Sequence, residues 1–191
     1  MYTTSASLLE RLRQPSEKSA WERFVELYTP LLYQWANRLG ERGPDGADLV
    51  QDVFVVLLDE LPAFQYDRQR RFRGWLWTVL LNKHRERRRR TKHEPQVSAP
   101  DRLPDRETAD PAAIMEEAEY RQYLVARCLE LMKEEFHRTT WQACFECVVE
   151  GRSAADVARS LGMTVNAVYL AKSRALRWLH QELDGLLDAN R

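Results

Sequence analysis

The chain has 191 residues, with 29 Lys+Arg balanced by 29 Asp+Glu and 44% hydrophobic content, enough at about 100–200 residues per domain for one domain or two small ones with a real core. No window approaches the roughly 18 uninterrupted apolar residues of a membrane span, and the first turns carry Glu10, Arg11, Arg13, Glu17 and Lys18 where a secretory signal needs an apolar run. A soluble, cytoplasmic protein is expected. Three cysteines without an export signal argue against a disulfide framework, and seven glycines are few for a sheet-rich fold or a Gly-rich phosphate loop. An all-α fold is therefore expected and a nucleotide-binding α/β enzyme disfavoured.

In chain order, Trp21, Phe24, Val25, Tyr28, Leu31, Leu32, Trp35 and Leu39 recur at three- and four-residue steps and predict one helical stripe, with Pro30 either kinking that helix or beginning a new one. Gly43-Pro44-Asp45-Gly46 reads as a turn. After it Asp45 or Asp48 caps a helix whose Leu49, Val50, Val53, Phe54, Leu57, Leu58 and Leu61 face a core, while Asp48, Gln51, Asp52 and Val55 share the opposite face. Pro62 stops that helix, and a loop of residues 62–71 leads to a third helix from about Phe72. Phe72, Leu76, Val79 and Leu80 point it inward until it runs out into Arg87–Arg90.

The zero net charge hides a segregation. From Arg68 to Lys92 there are eleven basic residues against one acid, Glu86, which is the footprint of a polyanion-binding surface. From Glu94 to Glu119 the balance reverses to eight acids against Arg102 and Arg106, with four of the eight prolines. So little apolar surface cannot offset the entropy of ordering, and a linker is expected. The chain accordingly splits into a helical domain at 1–93, a linker at 94–112 and a second helical domain at 113–191: two small all-α domains.

The second domain opens with a helix from about Ala112 to Glu135, with Leu124, Val125, Cys128, Leu129 and Met132 on one side, followed by another from Trp141 to Val149. Ser153 caps a short helix, Ala154 to Leu161, which Gly162 ends in the left-handed conformation, and Thr164 caps a last helix over about 165–183. Helix, Gly-containing turn and helix make the arrangement of a helix-turn-helix DNA reader. Val157, Leu161, Met163, Val165 and Val168 close its small core, with Ala158 where the helices cross. Thr164, Asn166, Tyr169, Lys172, Ser173, Arg174 and Arg177 form the candidate DNA face, the cations for phosphates and Asn166 for base edges. An ordinary helical hairpin with a basic solvated face is the plainer alternative.

The stretch EGRSAADVARSLGMTVNAVYLAKSRALRWL resembles region 4 of bacterial RNA polymerase sigma factors of the extracytoplasmic-function (ECF) group. ADLVQDVFVVLLDEL resembles region 2.2 of that family, and FRGWLWTVLLNKHRERRRR resembles regions 2.3 and 2.4. The resemblance covers about residues 18–93 and 120–185. It implies that Asp48, Gln51 and Asp52 dock on core RNA polymerase, and that Phe64, Tyr66, Arg71, Arg73, Trp77, Asn82 and Lys83 take up the melted minus-10 element. The region 4 face would take the minus-35 duplex, and an anti-sigma protein is a possible further partner.

For the minus-10 set the chemistry agrees, since single strands are held by basic grooves and aromatic platforms. Trp75 and Trp77, two apart on a helix, cannot share a face, so one is expected buried and one exposed. Phe64 is either a stacking platform or a plug beneath the bundle, and Arg87–Arg90, pointing all round a helix, are expected to touch phosphates without reading sequence. The stretch before region 4, LELMKEEFHRTTWQACFECVVEG, departs from the family in lacking its Leu-Pro step and adding a Trp.

Cys144 and Cys147, with Cys128 and His137 upstream, carry the residue types of a zinc or redox site, but cysteines at i and i+3 of an amphipathic helix are commonly small core residues. No metal, cofactor or catalytic constellation is expected. The function expected is a sigma factor without catalysis of its own, with a helix-turn-helix regulator that does not enter the polymerase as the alternative.

Overall fold

The apolar spacing becomes helix throughout. The computed structural model describes residues 7–14, 17–63, 72–91, 115–184 and 186–187, and among these there is no strand. In chain order the α-helices are α1 (Leu8–Leu12), α2 (Lys18–Arg38), α3 (Gly43–Glu60), α4 (Phe72–Thr91), α5 (Glu117–Glu135), α6 (Arg138–Val148), α7 (Ala154–Leu161) and α8 (Val165–Leu183), with a 3-10 turn at Leu61–Ala63. Two compact units divide the chain, one built on Ala6–Tyr120 and one on Arg121–Asp184, so Met115–Tyr120 belong by contact with the first.

In the first unit α2 buries Phe24, Leu27, Tyr28, Leu31, Leu32 and Trp35, α3 buries Leu49, Val50, Val53 and Leu57, and α4 buries Phe72, Leu76, Val79 and Leu80. The aromatics interlock, Phe24 lying 4.6 Å from Tyr28, 6.0 Å from Phe72 and 6.3 Å from Phe54 by ring centroids. Pro30 does not begin a new helix: α2 runs unbroken through it. It sits on the solvent side, where water can take up the carbonyl that its missing N–H leaves, while the buried residues on either side hold the helix together.

Three details depart from the sequence expectations. The Gly43–Gly46 segment is the first turn of α3 itself, with Arg42 at the N-cap and no side-chain cap; Pro44 supplies its fixed φ and Asp45 a favourable charge at the helix start. Gly46 suits the close approach there, since a Cβ would lie 3.1 Å from the Glu41 carbonyl oxygen, tighter than ordinary contact. Val25 and Leu58, expected inside, are exposed, because each lies at the edge of its stripe and the neighbouring helices cover only the centre. Ahead of them is α1, which the stripe reading missed: Ser7 and Glu10 form a reciprocal capping box, and Leu8, Leu9 and Leu12 are buried. The S-x-x-E spacing of Ser7 and Glu10 around Leu8 and Leu9 was its signal.

The second unit packs α6, α7 and α8 around Ala143, Val157, Ala158, Val168 and Ala171, with Met132, Cys144 and Ala175 forming an adjoining core flanked by Phe136, Trp141 and Trp178. Cys144 is a small core residue whose thiol is pushed up by burial and by Cys147 beside it, which disfavours the reactive thiolate. Val165, expected in the core, is exposed at the first turn of α8. Helix α5, expected from Ala112, starts at Glu117 and so begins in the first unit and continues into the second; residues 112–114, like the linker, lie outside the described residues.

The three turn signals are realised. The Ser153 hydroxyl accepts from the Asp156 N–H, Gly162 adopts φ 64°, and the Thr164 hydroxyl accepts from the Ala167 N–H. Arg152 adds an ion pair to the buried Glu146 of α6, which also accepts from Gln142.

Ser153 also donates to the Asp156 carboxylate at 2.6 Å, and that bond, with Arg159 and Arg152 nearby, holds Asp156 below the usual carboxylate range. A depressed folded pKa contributes stability that is fully present above the unfolded value of about 3.9 and is lost as pH falls through the folded value. Asp156→Asn is therefore expected to flatten the acid limb of the thermal midpoint against pH, read by circular dichroism. Ser153→Ala is expected to cost about 1 kcal/mol at neutral pH.

Candidate functional site

Burying Leu49, Val50, Val53 and Leu57 leaves the other side of α3 in solvent. Asp48 and Gln51 are exposed, Asp52 is half-buried, and the row continues into Val55 and Leu58, 59% and 52% exposed. The sequence reading placed Leu58 in the core; the structure makes it the apolar end of this polar row. Arg87 of α4 spans the acidic end, with Nη1 donating to Asp52 Oδ2 at 2.9 Å and Nη2 lying 3.6 Å from Asp48 Oδ2. The hydrogen bond that Arg87 donates to Asp52, more than the charge of either acid, raises the Arg87 pKa above its ordinary value.

Along α4 the basic residues divide. Arg73 is internal, 2% exposed: Nη1 donates to the Met115 carbonyl at 3.0 Å, Nη2 lies 3.8 Å from Glu117 Oε2, and the guanidinium stands 5.4 Å from the Tyr120 ring centre. Lys83 is half-buried and donates to Glu86 at 3.0 Å, and Arg90 pairs with the same carboxylate. Arg85, Arg88 and Arg89 are exposed. Trp75 is buried against Phe72, and Trp77 is half-buried with its ring edge-on to the buried Trp35 at 5.7 Å. Asn82 has its amide nitrogen buried with no hydrogen-bond partner among the described residues.

On α8, Val168, Ala171 and Ala175 are buried, and at about 100° per residue Asn166, Ser173 and Arg177 fall on the opposite side. Lys172 and Arg174 flank that row on its two edges. Asn166, Tyr169, Ser173, Arg174 and Arg177 are exposed, Lys172 is half-buried, and Thr164 is the exposed N-cap. The sequence reading missed Leu170, which is exposed on the same side as Asn166, four residues on; its place in the i, i+4 row was the available signal.

The family model for Sigma-70 region 2 matches residues 24–94. The RNA polymerase sigma factor CnrH of Cupriavidus metallidurans is 30% identical over 176 residues, 90% of this chain and 88% of that protein. The chain belongs to the sigma-70 family of RNA polymerase sigma factors, in the ECF group. The ECF sigma factor SigE of Mycolicibacterium smegmatis is 25% identical, covering 96% of this chain and 68% of that one, and SigD of Mycobacterium tuberculosis is 29% identical over 87% and 78%. A solved structure of CnrH in complex with the cytosolic domain of CnrY aligns at 24% identity over 96% of this chain and 97% of that chain, with a TM-score of 0.36.

Within this sigma factor the structure keeps Asp48, Gln51 and Asp52 on one face of α3 and gathers the region 4 residues on one side of α8. It separates the minus-10 set. Arg73 is withdrawn from the surface because its guanidinium ties α4 to the segment entering α5, and Trp77 presents only part of its ring. The Asn82 amide would have to turn outward to meet a base. Phe64, Tyr66 and Arg71 lie outside the described residues.

Arg73→Gln is expected to lower stability by about 2 kcal/mol, the scale of a buried hydrogen bond to a charged group. The urea midpoint reads the loss. The folded Arg73→Gln protein should retain its affinity for single-stranded DNA, whereas replacing a DNA-contacting arginine would lower it.

Proposed function

We propose that this sigma factor divides its work by helix face: α3 binds core RNA polymerase, α4 and the residues preceding it take up the melted minus-10 strand, and α8 reads the minus-35 duplex. The observation that carries the docking assignment is the α3 row itself. Two carboxylates and Gln51 are followed directly by exposed Val55 and Leu58, a polar end to set register and an apolar end to bury, as a protein interface requires. A regulator confined to duplex DNA would have no use for such a row beside a basic helix.

For α8, the exposed Asn166 on the outward face between Lys172 and Arg174 supports base reading at the centre and phosphate contact at the edges. Leu170 adds an apolar contact suited to a thymine methyl group. On α4 the exposed Arg85, Arg88 and Arg89, with Lys83, supply phosphate contacts, and Trp77, Asn82, Phe64, Tyr66 and Arg71 remain the proposed minus-10 residues. Arg73 is removed from that set. The protein acts in the cytoplasm, where its polymerase and promoter are, and contributes specificity and strand capture while the polymerase performs the chemistry.

Asp48→Arg with Asp52→Arg is expected to reduce affinity for core polymerase by tenfold or more, on the order of 1–2 kcal/mol for reversing two charges at an interface, with helix content unchanged. Unchanged affinity in a fluorescence titration would remove α3 from the interface.

On duplex promoter DNA, Lys172→Ala and Arg174→Ala should each lower the slope of log affinity against log salt by about one unit. Asn166→Ala should instead relax discrimination between promoter sequences. Equal losses on specific and random duplexes for all three variants would reassign the reading residue.

A further inference from the structure

Arg87 stands between two of the proposed surfaces. It projects from α4, among the exposed Arg85, Arg88 and Arg89, yet its guanidinium reaches across to α3 and bridges Asp52 at 2.9 Å and Asp48 at 3.6 Å. Asp48 and Asp52, the acids beside Gln51 in the α3 row, are thus already paired with a cation of the same molecule. A basic polymerase surface approaching them would crowd further positive charge onto two carboxylates, so Arg87 opposes docking for as long as it stays in place.

The bridge is built to be exchanged. Its side chains are 29% exposed at Arg87, 45% at Asp52 and 60% at Asp48, and pairs this wet shift an equilibrium only a few-fold. It is not needed to hold the helices together, since α3 and α4 are in direct contact and each commits buried apolar side chains to the interior, Leu49, Val50 and Val53 on α3 and Val79 and Leu80 on α4. An arginine released from it would remain on a helix whose neighbouring cations already face solvent, with a planar fork suited to a phosphate.

We infer that Arg87 is an exchange residue: in the free protein it neutralises Asp48 and Asp52, and when α3 docks it gives up both carboxylates to polymerase and turns to a promoter phosphate. The inference rests on the α3 docking assignment. Its consequence is a coupling of fixed sign, in which polymerase binding strengthens the DNA surface of α4 and, reciprocally, a phosphate that captures Arg87 frees the acids for polymerase.

Arg87→Gln in the full-length chain separates exchange from a structural role, because exchange moves two readouts in opposite directions. Affinity for core polymerase without DNA should rise roughly two- to fivefold, the range of one or two exposed ion pairs. Binding of the resulting holoenzyme to a premelted duplex, selected from a random library by the wild-type holoenzyme, should weaken and lose about one unit of salt slope. Arg87→Lys, which keeps the charge, should restore the slope.

Core affinity that is unchanged or reduced, or a salt slope that does not fall, overturns the exchange; a residue that merely stiffens α3 against α4 would weaken both interactions together. Asp48→Asn with Asp52→Asn, measured alongside, tests the docking assignment itself. If that pair leaves core affinity intact, docking fails and the exchange fails with it. If the pair weakens core binding while Arg87→Gln does not tighten it, the exchange alone fails. On the Asn/Asn background Arg87→Gln should have no further effect on core affinity, closing the cycle.

Discussion

A helix in a small bundle can bury only one of its faces, and each proposed surface of this protein is the remainder left by that burial. On α3 the commitment of Leu49, Val50, Val53 and Leu57 to the interior forces Asp48, Gln51, Val55 and Leu58 outward together. On α8 the burial of Val168, Ala171 and Ala175 does the same for Asn166, Ser173 and Arg177. Core and interface are therefore not independent features. A change that rotated either helix by one residue, about 100°, would replace the exposed row with a different one.

Charge obeys a second economy. The cluster of basic residues before Lys92 suggests a continuous polyanion-binding strip, but several of those cations are engaged internally: Arg73 by Met115, Glu117 and Tyr120, Arg87 by Asp48 and Asp52, Lys83 and Arg90 by Glu86. Their depths differ, and so do their roles. Arg73 is sealed in and structural, whereas Arg87 remains at the surface, where its partners can be changed. The Tyr28 and Tyr120 hydroxyls, 2.7 Å apart in the same interior, fasten the first turn of α5 to the bundle alongside Arg73.

In the second unit local chemistry and tertiary packing agree at every step from Ser153 to Thr164. Each helix end has its own cap, Gly162 supplies the left-handed turn, and the small residues Ala143, Ala158 and Ala171 let the helices approach. Arg152 and the buried Glu146 tie the entry to this segment back to α6. The position of the proposed reading helix is thereby fixed by short-range interactions that are satisfied before any DNA is bound.

The helical class, the bounds of α7 and α8 and the exposure of Asp48, Gln51 and most of the α8 row were legible in the residues alone, because caps and a 3.6-residue period are local and leave their mark on neighbouring residues. The motifs also carried the family. Which edge positions are covered emerges only from the packing, which exposes Val25, Leu58 and Val165, since coverage depends on where a neighbouring helix lies. Packing alone drew Met115–Tyr120 into the first unit and Arg73 into the interior, and it alone paired Arg87 with Asp48 and Asp52. Those contacts join residues 35 or more positions apart along the chain, and neither composition nor periodicity encodes which distant charges will meet.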